Sequence, residues 1–250
     1  MIPINYRKKI NELNTNGYTK VKNFLKIREV NEANKRLSKI KESKKLGTLW
    51  APHNYDAYFI KLICKEEIQK ILIPVLNDPF YKAIPSDKPN YILGEFIGIQ
   101  DQDSLNLHID SWIPSSSKRT WMVQVVLLLD DRKKEHGCTI AIKKSHRSDS
   151  YSNRNAKNYI YLEGNKGDLI IWDSRLWHGR NEGKVRRKSW ALCATMQSWF
   201  IKQRFDYTKS LPKHIFSKLN KVEKQIMGFC SIPPKSAKIS DNMRRGYEVL

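Results

Sequence analysis

Apolar positions recur at helical spacing over the first third of the chain and give way to strand-like runs from Tyr91 onward. Residues 5–14 predict a short helix with Ile10 and Leu13 on one side. Gly17 marks a turn, and residues 18–25 read as an opening strand. Across 29–45, Val30, Ala33, Leu37 and Ile40 form an apolar stripe among Lys, Arg, Glu and Asn. That spacing predicts an amphipathic helix laid against a sheet. A second helical region is expected over 55–63 and 66–77, with Pro74 kinking or ending it. Pro79, Pro85 and Pro89 make 78–90 a loop.

From there the period shortens. Residues 91–99, 105–109, 121–129, 137–142, 159–162, 169–172 and 189–200 are rich in β-branched, aromatic and other apolar residues, with turn signals between them. Residues 212–228 read as one further helix, carrying Ile215, Leu219, Val222 and Ile226 near one face. Many strands with helices largely before and after them predict a mainly β, α+β fold: an antiparallel sandwich or jelly roll with helical flanks. No linker divides the chain. It is expected to be one domain, with a helical flank and a strand over 1–90, a β-core over 91–200, and a C-terminal helix and tail over 201–250.

Composition narrows the setting. The chain has 250 residues, 40% of them hydrophobic, enough for a real core. The longest apolar run, residues 125–129, is far too short to span a membrane. Charged residues stand where a signal peptide needs an apolar stretch, so a cytoplasmic location is expected. Cys64, Cys138, Cys193 and Cys230 are widely separated, with no zinc-type spacing, and fit a reducing compartment. The net charge is +21, and it is uneven. Residues 1–50 hold thirteen basic and four acidic residues, residues 201–250 eleven and four, and residues 51–150 balance. A surface this basic attracts anions, whether substrate, nucleic acid or lipid. The competing explanation is a solvated surface set by Lys-rich composition.

His108-Ile109-Asp110 carries the chemistry. In an extended strand, residues two apart share a face, so one imidazole and one carboxylate can aim at one point. That is two thirds of the 2-His-1-carboxylate triad that holds Fe(II) with positions left open. A second histidine follows at His178, 68 residues after Asp110, behind the apolar run Leu169-Ile170-Ile171-Trp172. His53, His136, His146 and His214 read as structural, hydrogen-bonded histidines.

These residues resemble the phytanoyl-CoA dioxygenase family of Fe(II)/2-oxoglutarate oxygenases. The resemblance rests on His108-Ile109-Asp110, on residues 127–131 leading to Glu135-His136-Gly137-Cys138, on Lys144-Ser145-His146-Arg147, on Gly167-Asp168, and on His178 with Arg187 nine residues later. It covers residues 90–200 well and the flanks loosely. It implies a double-stranded β-helix, the cupin-like jelly roll. It also implies Fe(II) on His108, Asp110 and His178, with 2-oxoglutarate and O2 taking the remaining positions. The family's pattern places Arg187 on the distal carboxylate of 2-oxoglutarate, with Arg186 as the fallback, and a guanidinium fork suits that group. Gln124 could hydrogen-bond the cosubstrate, and Trp112 and Trp177 could wall the substrate pocket. Related halogenases replace the carboxylate by a small residue, so Asp110 implies hydroxylation.

The chain departs from the pattern at two places. Lys143-Lys144-Ser145-His146 stands where a Pro-Gly-Ser-His turn is usual. Arg180 follows His178 where a small residue often meets the cosubstrate, and could instead face an anionic substrate. The expected activity is hydroxylation of a small or carrier-linked metabolite, with an anionic one favoured by the charge. One alternative is a metal-dependent jelly-roll enzyme that does not use 2-oxoglutarate, which Arg187 counts against. The other is a basic protein binding nucleic acid or an anionic surface, which an intact triad disfavours.

Overall fold

A computed structural model describes residues 3–41, 47–100, 103–185 and 189–232. In chain order the elements are α1 (Tyr6–Asn16), β1 (Tyr18–Val21), α2 (Ile27–Lys39), β2 (Thr48–Trp50), α3 (Ala57–Ile63), α4 (Glu66–Leu76), β3 (Tyr91–Ile99), β4 (Leu105–His108) and β5 (Met122–Leu128). They continue with β6 (Thr139–Ala141), β7 (Ile160–Leu162), β8 (Leu169–Asp173), β9 (His178–Arg180), β10 (Ala191–Ser198), α5 (Tyr207–Ser210), α6 (Lys213–Phe216) and α7 (Lys221–Ile226). The strands form a six-stranded sheet, ordered β1-β8-β5-β10-β3-β2, and a four-stranded sheet, ordered β4-β9-β6-β7. The pairings β1–β8, β8–β5, β2–β3, β4–β9, β9–β6 and β6–β7 are all antiparallel. No helix among the described residues is long and apolar enough to cross a membrane.

The chain divides into two compact units, residues 1–50 with 97–193 and residues 51–96 with 194–250. The first unit holds the sandwich. Val126, Leu128, Ile170 and Trp172 of the larger sheet close on Ala141 and Leu162 of the smaller one, with Leu176 and Ala191 completing the layer. The helix α1 enters through Asn5, whose side chain accepts the Lys8 N–H at 3.0 Å, and ends at Gly17, φ 85°. This left-handed residue turns the chain straight into β1. The stripe of α2 buries Val30, Ala33 and Leu37, as its spacing requires.

The second unit contains α3, α4, one part each of β3 and β10, and the C-terminal helices. Pro74 lies inside α4, which ends two residues later. Residues 212–228 are not one helix. The chain breaks between α6 and α7, where the Asn220 side chain caps the Glu223 N–H and Glu223 accepts the Asn220 N–H, both at 2.9 Å. This reciprocal capping box is a helix start, and it outweighs the continuous apolar periodicity. The short strand β2 also has no counterpart in the sequence reading. Pro233, Pro234 and the tail lie outside the described residues.

Candidate metal centre

The centre is built on two neighbouring strands. His108 on β4 lies directly opposite His178 on β9, and His178 pairs on its other side with Ala141 of β6. Leu107, Ile109, Ile140 and Trp177 form one apolar cluster on the outward face of this sheet. The alternate residues His108, Ala141 and His178 therefore point inward, between the sheets. The register shifts by one residue between Leu105 and His108, a β-bulge that sets where His108 falls. Gly179 permits the close approach. A Cβ there would run into the Leu105 carbonyl oxygen and the Asn106 backbone. Asp110 sits just past the end of β4, its N–H donated to the Ser174 carbonyl at 2.8 Å.

Three ligand-type groups converge. The Nε2 atoms of His108 and His178 lie 3.6 and 3.4 Å from the two Asp110 carboxylate oxygens. One ligand atom from each of the three residues falls within 4.8 Å of the others. Two ligands held about 2.1 Å from an ion at right angles stand about 3 Å apart, close to this spacing. The hydrogen-bond pattern fits as well. His108 Nδ1 donates to the Asn106 carbonyl at 2.8 Å, and His178 Nδ1 donates to the Leu176 carbonyl at 2.9 Å. With each ring neutral, its Nε2 lone pair faces a carboxylate, an arrangement that needs a shared positive charge, either a cation or a proton on His108.

The electrostatics agree. Burial pushes the Asp110 carboxyl up, but His178, His108 and the Trp172 N–H outweigh it and hold it below the usual range. The Trp172 Nε1–H reaches Asp110 Oδ2 at 3.4 Å. Burial pulls His108 down, yet its hydrogen bond and charge interaction with Asp110 leave it above its ordinary value. His178 is more deeply enclosed, and burial keeps it below, despite the pull of Asp110. A carboxylate kept ionised beside a histidine kept neutral is a set of groups ready to ligate.

A buried brace lies behind the site. Arg175 is 1% exposed and forms bonds to Asp173 Oδ1 and Oδ2 at 2.9 and 2.7 Å. It also donates to the Ser117 carbonyl at 2.7 Å and lies over the Trp121 ring at 4.6 Å. Thr120 completes the brace, its hydroxyl donating to Asp173 Oδ2 at 2.7 Å. This group ties the loop after Asp110 to the segment leading into His178. The sequence reading passed over it, although two opposite charges two residues apart beside an apolar strand were a signal.

The remaining candidates fall differently. Gln124 is buried on the inward face of β5, with its amide 3.4 Å from Ser174 Oγ and its carbonyl 3.5 Å from Cys193 Sγ. Trp177 is 2% exposed and packs on the outward face, so strand alternation turns it away from the side His178 faces. Trp112 is 75% exposed. The Arg180 Nε–H goes to the Asp103 carbonyl. His146 Nε2 bonds the Asn14 carbonyl at 3.0 Å, and His53 is fully buried in the second unit. Arg186 and Arg187 lie outside the described residues.

Comparison with known proteins agrees with this geometry. The sequence model of the family described as Phytanoyl-CoA dioxygenase (PhyH) matches residues 13–189. The uncharacterized protein Rv1501 of Mycobacterium tuberculosis is 23% identical over 189 residues, covering 74% of this chain and 68% of that one. Dioxygenase af480 of Aspergillus fumigatus is 26% identical over 136 residues, covering 52% of this chain and 44% of that one. Among solved structures, HygX from Streptomyces hygroscopicus with nickel and 2-oxoglutarate bound superposes with a TM-score of 0.65 at 15% identity, over 80% of this chain and 90% of HygX. The non-heme alpha ketoglutarate dependent epimerase SnoN gives 0.60 at 15% identity, over 77% and 82%. These two share the fold, a cupin-like jelly roll. The family match spans well over half the sequence, and the chain belongs to the phytanoyl-CoA dioxygenase family of non-haem Fe(II)/2-oxoglutarate-dependent oxygenases, with O2 as oxidant.

Proposed function

We propose that this oxygenase hydroxylates a small molecule, with His108, Asp110 and His178 holding Fe(II). The observation that carries the reading is the convergence of two imidazole Nε2 atoms on the Asp110 carboxylate, with both Nδ1 atoms committed to backbone carbonyls. Iron supplies the activation of O2 that the side chains lack, at the expense of 2-oxoglutarate. The residues bind and orient. Asp110 fills the third protein position with a fixed anion, which favours hydroxylation over transfer of another bound anion. Trp172 and the Ser174 carbonyl fix that carboxylate and its backbone.

Arg187 takes the distal carboxylate of 2-oxoglutarate in this proposal, and Arg186 is its alternative. The support is its position in the sequence, nine residues after His178. Gln124 offers an amide from the inward face of β5 as a further contact. HygX has been solved with hygromycin B bound, which supports a small-molecule substrate for a protein of this fold. An anionic group on the substrate of the present chain is favoured by the +21 charge.

The test is anaerobic titration with Fe(II) and 2-oxoglutarate, followed by admission of air and measurement of succinate release across candidate compounds. Binding of both with compound-stimulated succinate is expected. Absence of metal binding would sink the proposal. A kcat/KM that stays flat as salt rises would remove the anionic substrate alone.

A further inference from the structure

Asp110 meets the two histidines with different oxygens. Oδ1 lies 3.6 Å from His108 Nε2, and Oδ2 lies 3.4 Å from His178 Nε2. Among the described residues, one side chain outside the triad reaches this carboxylate, and it reaches one oxygen. The Trp172 Nε1–H donates to Oδ2 at 3.4 Å.

The fold holds that donor in place. Trp172 on β8 pairs with Tyr18 of β1 on one side and with Gln124 of β5 on the other. Its side chain lies in the layer between the sheets and is 5% exposed. The indole stands 5.0 Å from the His178 ring, tilted by 50°. Packing against one ligand therefore aims the N–H at another. A phenylalanine would fill most of the same space, so packing does not require the N–H. A buried indole N–H seeks an acceptor, and a charged oxygen makes the stronger bond.

How many oxygens Asp110 gives decides what else the ion can take. Two imidazoles and one carboxylate oxygen leave three of six octahedral positions open, whereas a carboxylate giving both oxygens leaves two. Chelation by 2-oxoglutarate uses two. Only the one-oxygen mode keeps a position for O2.

We infer that Trp172 is a positioning residue that holds Asp110 to one-oxygen ligation, by occupying Oδ2 with its N–H and leaving Oδ1, the oxygen His108 faces, for the metal. The inference rests on the oxygenase reading above and deepens it. An oxygen that already accepts an N–H has less electron density to give to a cation. Without that bond, the carboxylate is free to turn both oxygens to the ion and close the third position. Removing the N–H should then leave the metal held at least as tightly, while a small molecule competing for the third position binds less well.

The test uses nitric oxide, a diatomic stand-in for O2, titrated without air into protein loaded with Fe(II) and 2-oxoglutarate and followed by absorption and electron paramagnetic resonance. It compares wild type, Trp172→Phe, and protein whose Trp172 indole is replaced by benzothiophene, which keeps the shape of the ring and lacks the N–H. In both altered proteins, Fe(II) affinity should be unchanged or higher and nitric oxide affinity lower by roughly three- to tenfold. A tryptophan that serves packing alone gives another pattern, in which Tm and Fe(II) affinity fall together in Trp172→Phe and the benzothiophene form behaves as wild type. Equal nitric oxide affinity in wild type and the benzothiophene form overturns the inference. So does a loss of Fe(II) affinity in that form as large as its loss of nitric oxide affinity. The benzothiophene form decides the matter even where Trp172→Phe does not fold. Wild type that binds no Fe(II) sinks the oxygenase reading itself and this inference with it, whereas Fe(II) binding with unchanged nitric oxide affinity removes only the role of Trp172.

Discussion

Ser174 holds Asp110 by its backbone, with carbonyl oxygen and N–H 2.8 Å apart, and Ser174 is itself flanked by the buried pair Asp173–Arg175. The carboxylate of the triad is therefore positioned by a guanidinium that touches none of its three side chains. Arg175→Met should destabilise the protein by roughly 3–5 kcal/mol, because the Asp173 charge stays buried without its partner. It should also weaken Co(II) binding. Adding Asp173→Asn should recover part of both losses. Calorimetry and metal titration on the two variants check this, and a stability loss with unchanged metal affinity would show a brace without a positioning role.

Gly179 leaves no room for a methyl group between the two imidazole-bearing strands, because a Cβ there would meet the Leu105 carbonyl oxygen and the Asn106 backbone. Gly179→Ala should force β4 away from β9, since the new Cβ meets main chain that cannot rotate aside. Metal affinity should fall at least tenfold, equivalent to about 1.4 kcal/mol. Isothermal titration with Co(II) reads this directly, and near-wild-type affinity would count against the strict spacing argued here.

Arg187→Ala should weaken 2-oxoglutarate binding by roughly 2–5 kcal/mol, as expected when one partner of a desolvated ion pair is lost. Metal binding should persist. Anaerobic titration of the Fe(II)–2-oxoglutarate absorption band separates the two effects. Unchanged cosubstrate affinity would transfer the role to Arg186.

His53 gives the second unit an acid sensitivity. Its ring is fully buried, stacked at 5.8 Å on Phe96 and edge-on at 4.7 Å to Tyr207, and burial pushes its pKa down to about 3. The unfolded chain takes up this proton near pH 6.5 and the native state does not. Stability is thus complete above pH 6.5 and falls as pH drops toward 3, by about 1.4 kcal/mol per pH unit below pH 6. Urea midpoints of wild type and His53→Leu should diverge over that window, the variant showing the flatter acid limb. Parallel curves would show that His53 does not set the slope.

Much of this was legible in the sequence for local reasons. His108 and Asp110 are two apart, which was enough to bring them together, although Asp110 stands in the turn after β4 and is held there by the Ser174 carbonyl rather than by strand alternation. The stripe Val30, Ala33, Leu37 declared α2, and Leu169-Ile170-Ile171-Trp172 declared β8. What escaped depends on partners distant in sequence or on single side chains. β2 is three residues long and exists by pairing with residues 97–99. Asn220 starts a new helix with one carboxamide, three residues after α6 has ended at Ser217. Asp173 and Arg175 stand out only once Thr120 and the Ser117 carbonyl close around them. Trp177 stood beside a ligand in sequence, yet alternation turns it to the opposite face.

The strand that carries His108 is four residues long, lies at the margin of its sheet and, among the described residues, pairs with β9 alone. An ion shared by His108 and His178 is a reversible cross-link closing a loop of 70 residues. Metal bound at a hundred times its dissociation constant adds about 2.7 kcal/mol to the folded state. If these residues hold the iron as proposed, iron should stabilise the fold as well as support turnover. The edge strand β4 is then where protein without metal should open first.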